Sequence, residues 1–157
     1  MFQLSTQTLQ TIEALLPQYP QKRSGILPIL HLIQEETGCI SKEAMEWVAQ
    51  RLELEPIQVY EVVSFYPMFK KEKVGRQHIK VCRTLSCALK GSEAVCKLFQ
   101  DRLPCPLGET TPDGAFTLEF VECLANCHEA PVVQVNEDLV SHCDLKKAEQ
   151  LIQQLQS

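Results

Sequence analysis

The chain has 157 residues, with 45% hydrophobic and 22% charged, the balance of a globular protein of one large or two small domains. A formal net charge of -5 disfavours nucleic acid or an anionic membrane as a general partner. No apolar run reaches the length of about 18 residues that a membrane span needs, so direct membrane insertion is not expected.

In chain order, the first part reads as helices. Ser5 is placed to cap a helix with Leu9, Ile12, Leu15 and Leu16 at its apolar positions, and Pro17 and Pro20 end it. A second helix is predicted from near Ser24, with Pro28 in its first turns, Ile26, Ile29, Leu30 and Ile33 on one side, and Gly38 as C-terminal cap. Ser41 caps a third, with Ala44, Val48 and Leu52 at i, i+4, i+8. Pro56 suits the first position of a fourth, near Ile57, Tyr60, Val63 and Phe65. The segment 70–76, KKEKVGR, breaks the apolar pattern and reads as a linker.

From residue 78 the period changes. His78 to Val81 alternates like a strand and ends at Cys82. Residues 88–103 form a helical pattern stopped by Pro104, and Thr111-Pro112-Asp113-Gly114 a β-turn. Phe116 to Phe120 alternates again and leads to Cys123. Pro131 to Val135 and Leu139-Val140 read as a strand and its return, and Asp144 caps a final helix with Leu145, Ala148, Leu151, Ile152 and Leu155 facing inward. Helices packed on a small sheet are the expected architecture.

Eight cysteines are many for such a chain. The first twenty residues lack a basic region followed by an apolar one, and lack the Arg-rich character of a presequence. The protein is therefore expected to stay where it is made, in a reducing compartment that disfavours disulfides, and metal binding is the first explanation to test. Cys82 and Cys87 form C-x4-C after one strand, and Cys123 and Cys127 form C-x3-C after another, with 35 residues between the pairs. If those strands are parallel neighbours, both pairs leave the same end of the sheet in loops, where backbone N–H groups can point at sulfur. Structural zinc sites favour the tighter C-x2-C, whereas a two-iron cluster takes two thiolates per iron and suits wider intervals. Zinc stays the rival reading. Cys39, Cys96, Cys105 and Cys143 have no partner at ligand spacing, and Cys96 reads as core. His128 and His142 read as surface residues or neighbours of the site, since a Rieske centre needs two histidine ligands in a different context. No G-x-G-x-x-G or P-loop occurs. The helices at 41–54 and 56–66 resemble a helix-turn-helix, but PIQVYEVVSFY carries no Lys or Arg and would read DNA poorly.

These features resemble one family, the 24 kDa-type subunit of respiratory NADH:quinone oxidoreductase, known in bacteria as its E subunit. The resemblance rests on the cysteine spacing, on VCRTLSCALKG, TPDGAFTLEFVECLANC and EAPVVQVN around the pairs, and on KRSGILPILHLIQEETG and VYEVVSFYPMF in the helical part; it covers roughly residues 20–145. It implies an α+β chain, with an N-terminal helical bundle that serves as docking domain and linker over 1–75 and a thioredoxin-like [2Fe–2S] ferredoxin domain over 76–157. It also implies one [2Fe–2S] cluster on Cys82, Cys87, Cys123 and Cys127, near the flavin of a partner. That partner is expected to be an NADH- and FMN-binding flavoprotein subunit, alongside further iron–sulfur subunits of one complex on the inner face of a bacterial membrane. The chain would then carry electrons without a complete active site of its own. NAD-linked hydrogenases and formate dehydrogenases use the same module, so an equivalent subunit there is the alternative. A structural zinc adaptor is the alternative of another class, and a free ferredoxin fits less well because residues 1–69 look like a docking domain. One departure stands out. Similar sequences usually read C-L-G-A-C at the second pair, where this chain reads CLANC. If that glycine needs positive φ, either Ala125 carries strain or Asn126 takes the left-handed role.

Overall fold

A computed structural model describes residues 2–156, which divide into two compact units, one up to Lys73 and the other from Val74. In the first unit, α1 (Thr6–Leu15) begins where the Ser5 hydroxyl accepts the Thr8 N–H at 3.2 Å, and a short 3-10 turn containing Pro17 ends it. The second helix, α2 (Ile26–Thr37), starts two residues later than Ser24 implies, because Lys22–Gly25 forms a 3-10 turn ahead of it. Pro28 is harmless in that first turn, where N–H groups have no partner within the helix. Gly38 closes α2 at φ 82 and donates to Gln34 O at 2.8 Å. Ser41 caps α3 (Lys42–Leu52) by accepting the Ala44 N–H. Pro56 opens α4 (Pro56–Phe65), whose Gln58 side chain accepts the Glu55 N–H at 3.0 Å.

Ile12, Ile29, Leu30, Ile33, Val48 and Val59 from all four helices are fully buried together, each contributing about 1.5–3 kcal/mol by burial. The face of α4 differs from the sequence expectation. Val59 and Val63, at i and i+4, turn inward, while Ile57, Tyr60 and Phe65 are exposed, Phe65 at 76%.

The second unit is a five-stranded mixed sheet in the order β2-β3-β1-β4-β5. Its strands are β1 (Gln77–Cys82), β2 (Glu109–Thr110), β3 (Phe116–Val121), β4 (Val133–Val135) and β5 (Asp138–Val140). β1 and β3 are parallel neighbours, in a register that sets Cys82 opposite Val121, and β4 runs antiparallel on the other side of β1. Gly75 packs so tightly on Phe116 that a Cβ there would lie 2.7 Å from a backbone carbon, so only glycine fits where the chain enters the sheet. One helix expected over 88–103 is two, α5 (Leu85–Leu89) and α6 (Ser92–Arg102), separated by Gly91 at φ 92. That left-handed residue breaks the helix and lets α6 lie against β1 and β3, beside α7 (Leu145–Gln156). Val95, Cys96 and Phe99 of α6, Ala148 and Ile152 of α7, and Ile79, Val81 and Leu118 of the sheet form this unit's core.

Candidate functional site

The parallel pairing of β1 with β3 carries both cysteine pairs to one end of the sheet. Cys82 is the last residue of β1, and Cys123 follows β3 by two residues. Cys87 is not in a loop, as the sequence suggests, but in α5, the short helix that starts after Thr84. Cys127 opens a 3-10 turn, Cys127–Glu129.

All eight cysteines are free thiols. Cys82 and Cys87 are each 1% exposed and share a small apolar cluster with Val132, Leu124 and Ala130. Cys123 and Cys127 are exposed, with their sulfurs 3.3 Å apart. Among the described residues no three or more His, Cys, Asp or Glu side chains gather closely enough to hold a single metal ion; the thiols stand as two pairs.

The pairs nevertheless act on one another. Burial pushes the Cys82 thiol up, but hydrogen bonds from the Thr84 hydroxyl, from the Leu124 and Thr84 backbone N–H groups and from Cys87 outweigh it, and the net shift is downward. The Thr84 oxygen lies 3.3 Å from that sulfur. Burial, then the bond to Cys82, raises Cys87 to about 11, against a Val132 N–H that lowers it. The bond with Cys127, then the Ala125 N–H at 3.3 Å, lowers Cys123. Cys127 is raised by the same bond and by the Cys123 charge. Charge on Cys82 reaches Cys123 and Cys127, and charge on Cys127 reaches Cys87, so the four sulfurs share one electrostatic neighbourhood. Backbone N–H groups aimed at anionic sulfur are what an iron–sulfur cluster requires, and the donor set fits such a group. Thr84, Leu124 and Val132 have no signal in the sequence, because their role depends on which sulfur the folded chain turns them towards.

Ala125 takes the left-handed conformation at φ 59 and Asn126 does not, at φ -118. His128 and His142 line an open cleft of about 320 Å³ with Cys127, Ser86, Leu89 and Lys90, beside the second pair. Cys96 and Cys143 lie in the core, where burial raises each thiol to about 11; burial also raises Cys105.

Fold and site together define a small α/β protein that presents four interacting thiols at one end of its sheet. Residues 12–156 match the family model of the thioredoxin-like [2Fe-2S] ferredoxins, and the chain belongs to that family. A relative from Rhizobium meliloti (strain 1021), a second E subunit of NADH-quinone oxidoreductase, is 43% identical over 92% of this chain and 86% of its own length. The E subunit of NADH-quinone oxidoreductase from Rickettsia felis is 42% identical over 96% and 92%. Among solved structures, an NAD+-reducing [NiFe]-hydrogenase in the air-oxidized state superposes with a TM-score of 0.72 at 20% identity. The match covers 84% of this chain and 23% of that one, and is a likeness of fold.

Proposed function

We propose that this chain is the electron-transfer subunit of the NADH-oxidising module of an NADH:quinone oxidoreductase, holding one [2Fe–2S] cluster on Cys82, Cys87, Cys123 and Cys127. The observation that carries the reading is the convergence of two cysteine pairs on one sheet end, in a chain about 40% identical over nearly its full length to proteins named as the E subunit of that oxidoreductase. When bound, the cluster supplies a one-electron carrier. The chain's own residues bind it and control its surroundings. Cys82 and Cys87, packed with Val132 and Leu124, keep water from one side, and the Leu124, Val132 and Ala125 N–H groups favour negative charge on sulfur. The exposed Cys123 and Cys127 mark the side that a redox partner approaches.

Electrons then come from another protein of the complex. The sequence carries no glycine-rich nucleotide motif, so NADH and FMN belong to a flavoprotein partner, and this chain has no complete active site alone. The first unit is the docking domain. Its Ile57, Tyr60, Phe65 and Met68 are exposed, and Glu61, Val62, Phe65 and Tyr66 line an open, mainly apolar hollow of about 520 Å³, which suits a permanent protein interface. No helix among the described residues is long and apolar enough to cross a membrane, so the chain would be peripheral to the inner face of a bacterial membrane, held there by the complex.

Iron and acid-labile sulfide analysis, with EPR before and after dithionite, tests the reading. About two irons and two sulfides per chain and an S = 1/2 signal on reduction are expected. A colourless protein with one zinc would favour a structural adaptor instead. Co-expression with the flavoprotein should give a complex that reduces ferricyanide with NADH, whereas the isolated chain should bind neither NADH nor FMN.

A further inference from the structure

The turn that carries Cys123 and Cys127 is strained and is held from outside. Ala125, between the two cysteines, lies in the left-handed region, where an alanine Cβ crowds the backbone. Beside it, Asn126 uses both N–H bonds of its side-chain amide. Nδ2 donates to Glu129 Oε2 at 2.8 Å and to Ser141 Oγ at 2.9 Å. Ser141 Oγ donates in turn to the same Glu129 oxygen, closing a ring of three polar side chains. Two backbone bonds run alongside, from His142 N to Glu129 O at 2.7 Å and from Cys143 N to Pro131 O at 2.8 Å. Ser141 is 15 residues from Asn126 and leads through the buried Cys143 into α7, whose Ala148 and Ile152 lie in the core. The ligand turn is thereby tied to the rigid part of the unit by side chains that touch no sulfur.

Resting on the assignment of the four cysteines as ligands, we propose that Asn126, Glu129 and Ser141 form a clasp that positions the Cys123–Cys127 turn for the cluster. They are positioning residues. The amide is the donor the ring needs and the carboxylate its common acceptor, so the arrangement depends on which residue donates and which accepts. An exchange of those roles tests this directly.

Asn126→Asp sets an acceptor against the Glu129 carboxylate, and Glu129→Gln removes the acceptor charge. The double variant Asn126→Asp/Glu129→Gln restores a donor opposite an acceptor with the roles reversed. In the full-length protein, Asn126→Asp should lose its visible absorbance in air about tenfold faster than wild type, the scale on which partners of metal ligands act. Its reduced EPR line shape should change, and in the cluster-free protein the His142 amide should exchange faster, while the thermal midpoint stays at the wild-type value. The double variant should recover most of the retention and the wild-type line shape. Ser141→Ala should show a smaller loss, and it carries the comparison if Asn126→Asp does not fold. Wild-type retention in Asn126→Asp and Ser141→Ala, or a double variant no better than Asn126→Asp, overturns the clasp and leaves the cluster reading intact. Wild-type protein without iron and acid-labile sulfide overturns the cluster reading and the clasp with it.

Discussion

The two cysteine pairs of this site are supported in opposite ways. Cys82 ends the central strand β1 and Cys87 sits in α5, both within an apolar cluster that excludes water. Cys123 and Cys127 stand in solvent on a turn that includes a left-handed alanine. Apolar packing positions the first pair, which is therefore inseparable from the fold. Hydrogen bonds position the second, so its geometry can change while the core stays intact. One side of the site is thus rigid and dry, and the other is open to a partner and adjustable.

The sharpest way to break this comparison is to remove ligands from each side. Serine at Cys82, Cys87, Cys123 or Cys127 should abolish the cluster or destabilise it severely, as iron content and visible spectra would show. Urea unfolding of the cluster-free variants should then separate the pairs. Cys82→Ser and Cys87→Ser bury a hydroxyl among Val132, Leu124 and Ala130 and should cost about 1–3 kcal/mol, while Cys123→Ser and Cys127→Ser should leave the midpoint unchanged. Equal costs in both pairs would contradict the division drawn here.

A second contrast sets the core thiols against the ligands. Cys96→Ser and Cys143→Ser should keep the visible spectrum and lose about 1–3 kcal/mol, because each buries an added polar group. Loss of the cluster in Cys143→Ser would show that a ligand has been mis-assigned. Cys39→Ser and Cys105→Ser should also keep the spectrum.

The pH dependence of stability sharpens the same contrast. Burial raises Cys96 and Cys143 to about 11 in the folded protein, above the value of about 8.5 for a free thiol. A raised folded-state value means that the folded state holds the proton more tightly. The stability this confers is complete below about pH 8.5 and is lost as pH rises towards about 11. Cys96→Ala should flatten that alkaline decline in chemical denaturation of the cluster-free protein. Under the same conditions Cys123, exposed and lowered, should be alkylated by iodoacetamide well before Cys96 or Cys143.

The smallest expected effect concerns the strained turn. Ala125→Gly should raise the stability of the cluster-free protein by about 1 kcal/mol or less, since glycine adopts φ 59 freely but gains entropy in the unfolded chain. A destabilised Ala125→Gly would argue against strain at this position.

Short-range chemistry made much of the molecule legible in advance. Ser5, Ser41, Pro56 and Gly38 cap or open helices where their side chains or backbone freedom suggest, because a cap needs only partners within one turn. The strands ending at Cys82 and leading to Cys123 were readable as alternation, and the cysteine intervals drew attention to the four thiols. The two-residue β2 is too short for any period to register. The face of α4 was misjudged because a helix rich in apolar side chains does not reveal which of them turn inward.

The sequence by itself determined the chemistry available, namely two thiol pairs, each following a strand, behind a run of capped amphipathic helices. Tertiary structure alone decided how that chemistry is arranged. It made β1 and β3 parallel neighbours, buried one pair and exposed the other, broke the helix at Gly91 and gave the left-handed place to Ala125 rather than Asn126. It also joined Asn126 to Ser141 across 15 residues. The division has a physical cause. Periodicity and capping act within a turn or a strand and are written in neighbouring residues, whereas strand order, burial and long-range hydrogen bonds depend on which distant segments the packed core brings together.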